Sequence, residues 1–272
     1  GANALAANVD GDKSVAVGVD ALAAQDPASN VDMYNVAVGD SAGKSVTTGL
    51  YNTLIGGLAG DALTTGGSNV ALGTSALSLD TAGSRSIAIG SDALASQNFT
   101  SATNAYNTAV GHQAGKLITT GIGNTLIGGL AGDAITEAGY NVAVGLYALS
   151  QNTLGSSNTA LGYAALSAFN ATSASDTYNT AVGSGAGAAI TTGTANTLIG
   201  GLAGDAQTTA ANSTAVGYAA LGANTTGSNN TAIGKEALDA NTTGSENVGV
   251  GVGALGSNTT AASNVAVGVN AL

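Results

Sequence analysis

Apolar and polar residues alternate along the whole chain in one short recurring pattern, of which Asn-Val-Ala-Val-Gly is typical. Twelve of the fifteen intervals between its glycines span seventeen positions, and the other three span twenty-one. A repeat of this regularity predicts a solenoid, in which each repeat forms one turn that stacks on the next. The sixteen repeat glycines, called anchor glycines below, are Gly1, Gly18, Gly39, Gly56, Gly73, Gly90, Gly111, Gly128, Gly145, Gly162, Gly183, Gly200, Gly217, Gly234, Gly251 and Gly268.

The residues just before each anchor glycine have the period of a β-strand. One residue before it stands Val, Ile or Leu, as at Val38, and three residues before it stands Val, Ile or Thr, as at Val36. A period of two indicates a strand, and Gly and Thr in every repeat argue against a helix. We expect these larger side chains to face the core, and a second strand to lie in the return segment of each turn.

Two other positions carry nearly the same residue in every repeat. Four residues before the anchor glycine stands Asn or Ser, as at Asn35 and Ser86. Stacked turns would place these side chains about 4.8 Å apart, where they can hydrogen-bond to one another and to the turn backbone. Three residues after the anchor glycine stands Ala in all sixteen repeats, which predicts a corner or a close contact between chain segments.

A longer period, made of one long interval and three short ones, is superimposed on the short repeat. Pairs of successive repeats that carry Ala-Gly after the anchor recur at this longer period, and the first repeat of each pair follows one of the long intervals. The extra residues lie within 23-34, 95-106 and 167-178, and these segments end in Tyr34, Tyr106 and Tyr178. In a solenoid such insertions leave the wall as surface loops. The three tyrosines are therefore candidate recognition residues, although each could instead pack its loop base against the wall.

Composition favours a thin core. The chain has 272 residues with 42 Gly, 44% hydrophobic residues and only 4% aromatic residues. We expect an all-β parallel β-solenoid of about sixteen rungs with the seventeen-residue period, forming one repetitive segment over residues 1-272. One thin coil would bury little apolar surface, so association of three parallel chains is expected. The chain begins and stops within repeats, which suggests a segment of a longer fibre.

Charge and cysteine content narrow the possible partners. The net charge is −11, with 16 acidic and 5 basic residues. Nucleic acids and anionic membrane surfaces attract clustered Lys and Arg, so neither is an expected partner. No apolar run is long enough to insert into a bilayer. Cysteine is absent, which excludes disulfides and thiolate metal sites.

Few residues suggest chemistry, and we expect no enzyme activity and no cofactor. His112 is the only histidine and has no nucleophile-elbow context. Gly-Gly-Leu-Ala-Gly-Asp sequences resemble a calcium-binding repeat but recur only every fourth turn, and Ca²⁺ needs six to eight oxygen ligands. Surface turns are the favoured interpretation, and an ion on a trimer axis is the alternative. The weak metal candidates are Asp61, Asp133 and Asp205.

The repeated Ser-Val-Ala-Val-Gly, Asn-Val-Ala-Val-Gly and Ser-Ile-Ala-Ile-Gly elements resemble the head repeats of YadA-like trimeric adhesins. This resemblance covers nearly the whole chain and implies a left-handed β-roll and a homotrimer. The repeat of this chain is longer than is usual for those heads.

The longer unit Asn-Thr-Leu-Ile-Gly-Gly-Leu-Ala-Gly-Asp-Ala is similar to repeats in tail-fibre proteins of marine bacteriophages. It implies an extracellular shaft of a virion appendage that touches a host glycan or protein receptor. The alternative is the head of a bacterial trimeric adhesin on the outer cell surface. A third hypothesis, prompted by recurring Thr-Thr pairs, is an ice-binding solenoid.

Overall fold

The computed structural model describes all residues from Gly1 to Leu272 and contains strands and turns but no helix. The chain divides into two compact units, Gly1–Gly139 and Tyr140–Leu272. Each unit is a parallel β-solenoid with one three-residue strand in each turn. The two units together contain about fifteen turns that follow the period of the sequence repeat, which confirms the expected all-β parallel solenoid.

The first unit contains eleven strands: β1 Gly11–Asp12, β2 Val15–Val17, β3 Val31–Asp32, β4 Val36–Val38, β5 Thr53–Ile55, β6 Val70–Leu72, β7 Gly83–Ser84, β8 Ile87–Ile89, β9 Thr103–Asn104, β10 Thr108–Val110 and β11 Thr125–Ile127. Its main sheet has the order β2-β4-β5-β6-β8-β10-β11. All pairs are parallel and equivalent residues of successive turns lie side by side, as Val36 beside Thr53.

The second unit contains ten strands: β12 Val142–Val144, β13 Gly155–Ser156, β14 Thr159–Leu161, β15 Ser175–Asp176, β16 Thr180–Val182, β17 Thr197–Ile199, β18 Thr214–Val216, β19 Thr231–Ile233, β20 Val248–Val250 and β21 Val265–Val267. Its main sheet has the order β12-β14-β16-β17-β18-β19-β20-β21, again parallel and in register.

A second strand in every turn, which we expected, is not present. Two-residue strands occur only as the pairs β1 with β3, β7 with β9 and β13 with β15, and the second strand of each pair lies within one of the long segments. Elsewhere the return segment is a series of turns. Its backbone N–H groups donate to the next turn, as Thr64 N does to Thr81 O at 2.8 Å.

The prediction of which strand face lies in the core was wrong. In β4 the middle residue Ala37 is fully buried, whereas Val38 is 36% exposed. From β4 onward the middle residue of every main-sheet strand is buried, and the first and third residues point outward. The reason is space: the narrow coil also has to hold leucines from its return segment, such as Leu22 and Leu77, which are fully buried.

Volume compensation inside the core explains why Leu and Gly exchange places in the Ala-Gly turns. In most turns the middle strand residue is Ala and the fourth residue after the anchor is a buried Leu. In β5 the middle residue is instead Leu54, while Gly60 replaces that Leu in the same turn and Gly43 replaces it in the turn before. A Cβ on Gly43 or Gly60 would lie only 2.6 or 2.8 Å from a methyl group of Leu54. Leu126 and Leu198 have the same relationship to their glycines.

The expected ladder of amide side chains is confirmed. Asn35, Asn52 and Asn69 are fully buried. Asn52 N donates to Asn35 Oδ1 at 2.9 Å, and Asn52 Nδ2 donates to the turn carbonyl of Gly66 at 3.0 Å. Some amides also pair directly, as Asn124 Nδ2 with Asn107 Oδ1 at 3.3 Å. The ladder therefore satisfies buried backbone groups that the strands leave unpaired.

The invariant alanine and the anchor glycine both lie where neighbouring turns approach closely. The alanine is fully buried in most turns, as at Ala42 and Ala59, and so lies at the expected close contact. The anchor glycine Gly56 has φ of +134°. A Cβ there would lie 2.6 Å from the backbone of Gly73 in the next turn, so no larger residue fits.

Candidate functional site

Each of the three long segments contains both exposed and buried residues. Residues 28-30, 100-102 and 172-176 are all exposed. Each loop is fixed by buried apolar side chains, which include Met33, Phe99 and Phe169. The loops are therefore surface features attached to an ordered wall.

The tyrosines that end these loops are also exposed, by 45% at Tyr34, 54% at Tyr106 and 62% at Tyr178. Each stands five residues before an anchor glycine, at a left-handed backbone position with φ near +50°. The side chains at this position of successive turns lie beside one another, because each backbone N–H donates to the turn before, as Tyr51 N does to Met33 O at 2.9 Å. The sequence did not single out Tyr51, although it occupies the same position of the repeat.

In the first unit this position forms a column of seven residues, which we call the tyrosine column: Lys13, Tyr34, Tyr51, Ser68, Arg85, Tyr106 and Gly123. At one end Lys13 Nζ lies 5.2 Å from the ring centre of Tyr34 and 2.7 Å from Asp32 Oδ2. The hydrogen bond to Asp32 is the main reason that the pKa of Lys13 is raised. The rings of Tyr34 and Tyr51 stack at 5.7 Å with an angle of 11°.

A second aromatic and cationic group lies further along the same column. The guanidinium carbon of Arg85 lies 5.6 Å from the ring centre of Tyr106, and Arg85 Nη1 donates to Tyr106 Oη at 2.9 Å. Ser68 separates Arg85 from Tyr51. The column thus holds two tyrosine-cation groups with a small polar residue between them.

In the second unit the corresponding tyrosine has a carboxylate partner. Tyr178 Oη donates to Asp176 Oδ2 at 3.2 Å, and this hydrogen bond raises the pKa of the Tyr178 hydroxyl. Ser157 Oγ donates to Asp176 Oδ1 at 2.7 Å. No basic side chain contacts this tyrosine, so its surroundings differ from those of Tyr34 and Tyr106.

The outward side chains of the main-sheet strands form a second surface, which we call the outer sheet face. It consists of the first and third residue of each three-residue strand, and every one of these residues is Val, Ile, Leu or Thr. Their exposed fractions include 42% at Leu72, 38% at Ile87 and 41% at Ile233. In a chain with a net charge of −11, this face carries no charged side chain.

The weak metal candidates do not converge. Asp61 and Asp133 lie in the first unit four turns apart, and Asp205 lies in the second unit. Burial raises the pKa of all three carboxyl groups above the ordinary value. Asp61 Oδ1 and Asp133 Oδ1 are buried oxygens without a hydrogen-bond partner. No group of three or more His, Asp or Glu side chains comes together in the structure.

His112 is exposed, as expected for a side chain that leaves the wall next to an anchor glycine. A recess of about 620 Å³ lies beside the last residues of the chain and is lined by Glu236, Asp239, Leu255 and Asn258 among others. No helix in the structure has the length and apolarity needed to cross a membrane.

Comparison with protein-family models, with curated proteins and with solved structures finds no match. The outer sheet face, the loops and the tyrosine column are therefore interpreted from their own geometry.

Proposed function

We propose that this chain is the shaft of an attachment fibre, most simply a phage tail fibre, in which three copies associate and the exposed loops contact a host surface. The outer sheet face is the observation that carries the self-association. It is apolar, continuous over successive strands and free of charge, so like copies with a net charge of −11 can meet there without bringing carboxylates together.

The outer sheet face has a similar extent in the two units. Seven strands at about 4.8 Å spacing and three residues at about 3.3 Å each give roughly 330 Å² in the first unit. Eight strands give slightly more in the second unit. Each of these areas is smaller than the roughly 800 Å² that each partner buries in an interface of standard size.

The same fold and face would serve the head of a bacterial trimeric adhesin on the outer cell surface. Both proposals place the chain outside the cell and give the loops the attachment role. They differ in the neighbouring domains: a membrane-anchored barrel would favour the adhesin, and a virion-attachment domain would favour the phage fibre.

Sedimentation equilibrium tests the association. We expect a mass about three times that of the single chain, which is 25.6 kDa. Leu72→Lys and Ile87→Lys each place a charge on the outer sheet face and should lower the association constant at least tenfold. Thr65→Lys, on an exposed return segment, is the matched control and should leave the mass unchanged. A single-chain mass for the unmodified protein at micromolar concentration would contradict the proposal.

Ice binding is a second candidate function, supported by a column of threonines on the outer sheet face of the second unit. The column consists of Thr159, Thr180, Thr197, Thr214 and Thr231, in five consecutive main-sheet strands. The Thr-Thr pairs leave fewer hydroxyl groups available to bind ice. The first hydroxyl of a pair donates to the next turn, as Thr208 Oγ1 does to Thr225 O at 3.1 Å. Thermal hysteresis that disappears in Thr197→Lys would support ice binding, and its absence from the unmodified chain would exclude it.

A further inference from the structure

We propose that Tyr51, Ser68 and Arg85 form a binding subsite for an acidic sugar, a pyranose ring that carries a carboxylate. The inference rests on the proposed attachment role and names the ligand class and the residues. It uses only the first unit, where these three residues follow one another in the tyrosine column.

The backbone fixes the spacing of the subsite. Ser68 N donates to Leu50 O at 2.8 Å, and Arg85 N donates to Gly67 O at 3.1 Å, so the three residues lie at successive turns. Two turn spacings of about 4.8 Å separate Tyr51 from Arg85. Ser68 is exposed and its side chain is short, so it leaves a slot between the aromatic ring and the guanidinium group.

One face of the Tyr51 ring is directed towards this slot. Its other face is covered by Tyr34, since the two rings stack at 5.7 Å and are nearly parallel. The apolar C–H face of a pyranose can pack on an open aromatic face, and the backbones of the two flanking turns lie about 9.6 Å apart. Tyr51 is 56% exposed, so a ligand can reach it.

Arg85 supplies the charge selectivity. The four lysines all form ion pairs, with Asp32, Asp20, Asp92 and Glu236, and Arg85 alone among the lysine and arginine side chains has no carboxylate partner. Its Nη1 donates to Tyr106 Oη, and four of its five N–H donors are left for a ligand. A guanidinium group binds a carboxylate through two parallel hydrogen bonds.

The arrangement at Lys13 makes the contrast clear. Lys13 also lies over a tyrosine ring of the same column, but Asp32 Oδ2 at 2.7 Å neutralises it. Arg85 has the aromatic neighbour without the carboxylate. An anionic ligand is the group that would complete the Arg85 environment, and the Ser68 hydroxyl can donate to or accept from a sugar hydroxyl.

Calorimetric titration of the full chain with a galacturonic acid trisaccharide tests the subsite, with neutral galactotriose, sialyllactose, an acidic hexapeptide and inorganic sulfate as comparison probes. We expect either acidic sugar to bind at least tenfold more tightly than galactotriose, and the tighter one identifies the source of the sugar. Equal affinity for galactotriose, for the peptide or for sulfate would overturn the proposal.

Variants locate the site. Arg85→Gln should abolish the preference for the acidic sugar, and Tyr51→Ala should weaken the acidic and the neutral trisaccharide together. Lys44→Gln removes another exposed cation of the same unit and should change nothing. Equal losses for Lys44→Gln and Arg85→Gln would show only general charge attraction. Sedimentation of the same samples separates the two proposals, because a trimer that does not bind acidic sugars overturns the subsite alone.

Discussion

Leu54 occupies the space that a side chain at Gly60 would need: a Cβ on Gly60 would lie 2.8 Å from Leu54 Cδ2. The left-handed backbone at this position does not itself demand glycine, because Leu77 has φ of +55° at the equivalent place and Gly60 has +56°. Core volume therefore determines the choice between Leu and Gly at this position.

Gly60→Ala should lower the free energy of unfolding by about 2 kcal/mol, because it overpacks the core beside Leu54. Leu54→Ala should cost about 3 kcal/mol by leaving a cavity. In the double variant the clash with Leu54 disappears and only the contact with Leu63 Cδ1, at 2.9 Å from the new Cβ, remains. The two changes should therefore couple favourably by at least about 1 kcal/mol. Urea denaturation of the four proteins measures the coupling, and additive effects would contradict the compensation.

Gln207→Ile should stabilise the protein by about 1 to 2 kcal/mol, because both amide atoms of Gln207 are buried without partners. The equivalent positions in the two similar turns hold the aliphatic residues Leu63 and Ile135. The melting temperature reports the change.

The matched control is Gln97→Ile. Gln97 Nε2 donates to Asp80 Oδ2 at 2.7 Å, and Gln97 Oε1 accepts from Asn107 Nδ2 at 2.9 Å. Since that substitution leaves buried partners unsatisfied, it should destabilise. Stabilisation by both substitutions would show that general hydrophobicity, and not the missing partners of Gln207, controls the effect.

Asn52→Ala should destabilise by about 3 kcal/mol, because it leaves two buried backbone groups without partners. These are the carbonyl of Gly66 and the N–H of Asn69, which donates to Asn52 Oδ1 at 3.1 Å. Hydrogen exchange at Asn69 N should accelerate in the variant. The exposed Asn104→Ala is the control and should change stability by less than about 0.5 kcal/mol.

A triple variant carries Asp61→Asn, Asp133→Asn and Asp205→Asn. Relative to this variant, the free energy of unfolding of the unmodified chain should increase as the pH falls. Burial raises the pKa of these carboxyl groups above the ordinary value of 3.8. Between 3.8 and the raised values, the folded state binds more protons than the unfolded state. Stability therefore falls as pH rises through this window, and the asparagine variant lacks this loss.

Urea midpoints at about pH 7 and about pH 4 measure this difference. Comparison with the triple variant cancels the opposite contributions of Asp20 and Asp32, whose pKa values are lowered mainly by the Asn3 and Lys13 hydrogen bonds. A constant difference between the two proteins at both pH values would contradict the burial of these carboxyl groups.

Features set by repetition could be predicted from the sequence. The period, the parallel in-register stacking and the Asn35 to Asn52 ladder all follow from identical residues recurring at one spacing. The repeat lengths also lead to the expectation of three loops, because four extra residues in a stacked turn have no place except the surface.

Features set by the volume inside the coil could not be predicted in the same way. Both faces of the strand Val36–Val38 are apolar. Because Val38 is larger than Ala37, the sequence predicts that Val38 faces the core, but Ala37 does. Knowledge that Leu22 enters the core from the return segment was needed to assign the faces. The proposed subsite could not be predicted for a related reason. Arg85 lies next to Tyr106 and near Tyr51 only when the turns are stacked, and these residues are distant in the sequence.

Each position of a turn mainly contacts its own counterpart in the turns beside it, as Gly56 contacts Gly73. Deleting residues 217–233 would join Val216 to Gly234 and leave every position with a neighbour of the same kind. Recombination between repeats of the gene can thus add or remove turns of the protein without changing how the remaining turns pack. The two successive turns that contain Gly43, Leu54 and Gly60 are the exception. Because Leu54 needs both glycines, these two turns can be added or removed only together.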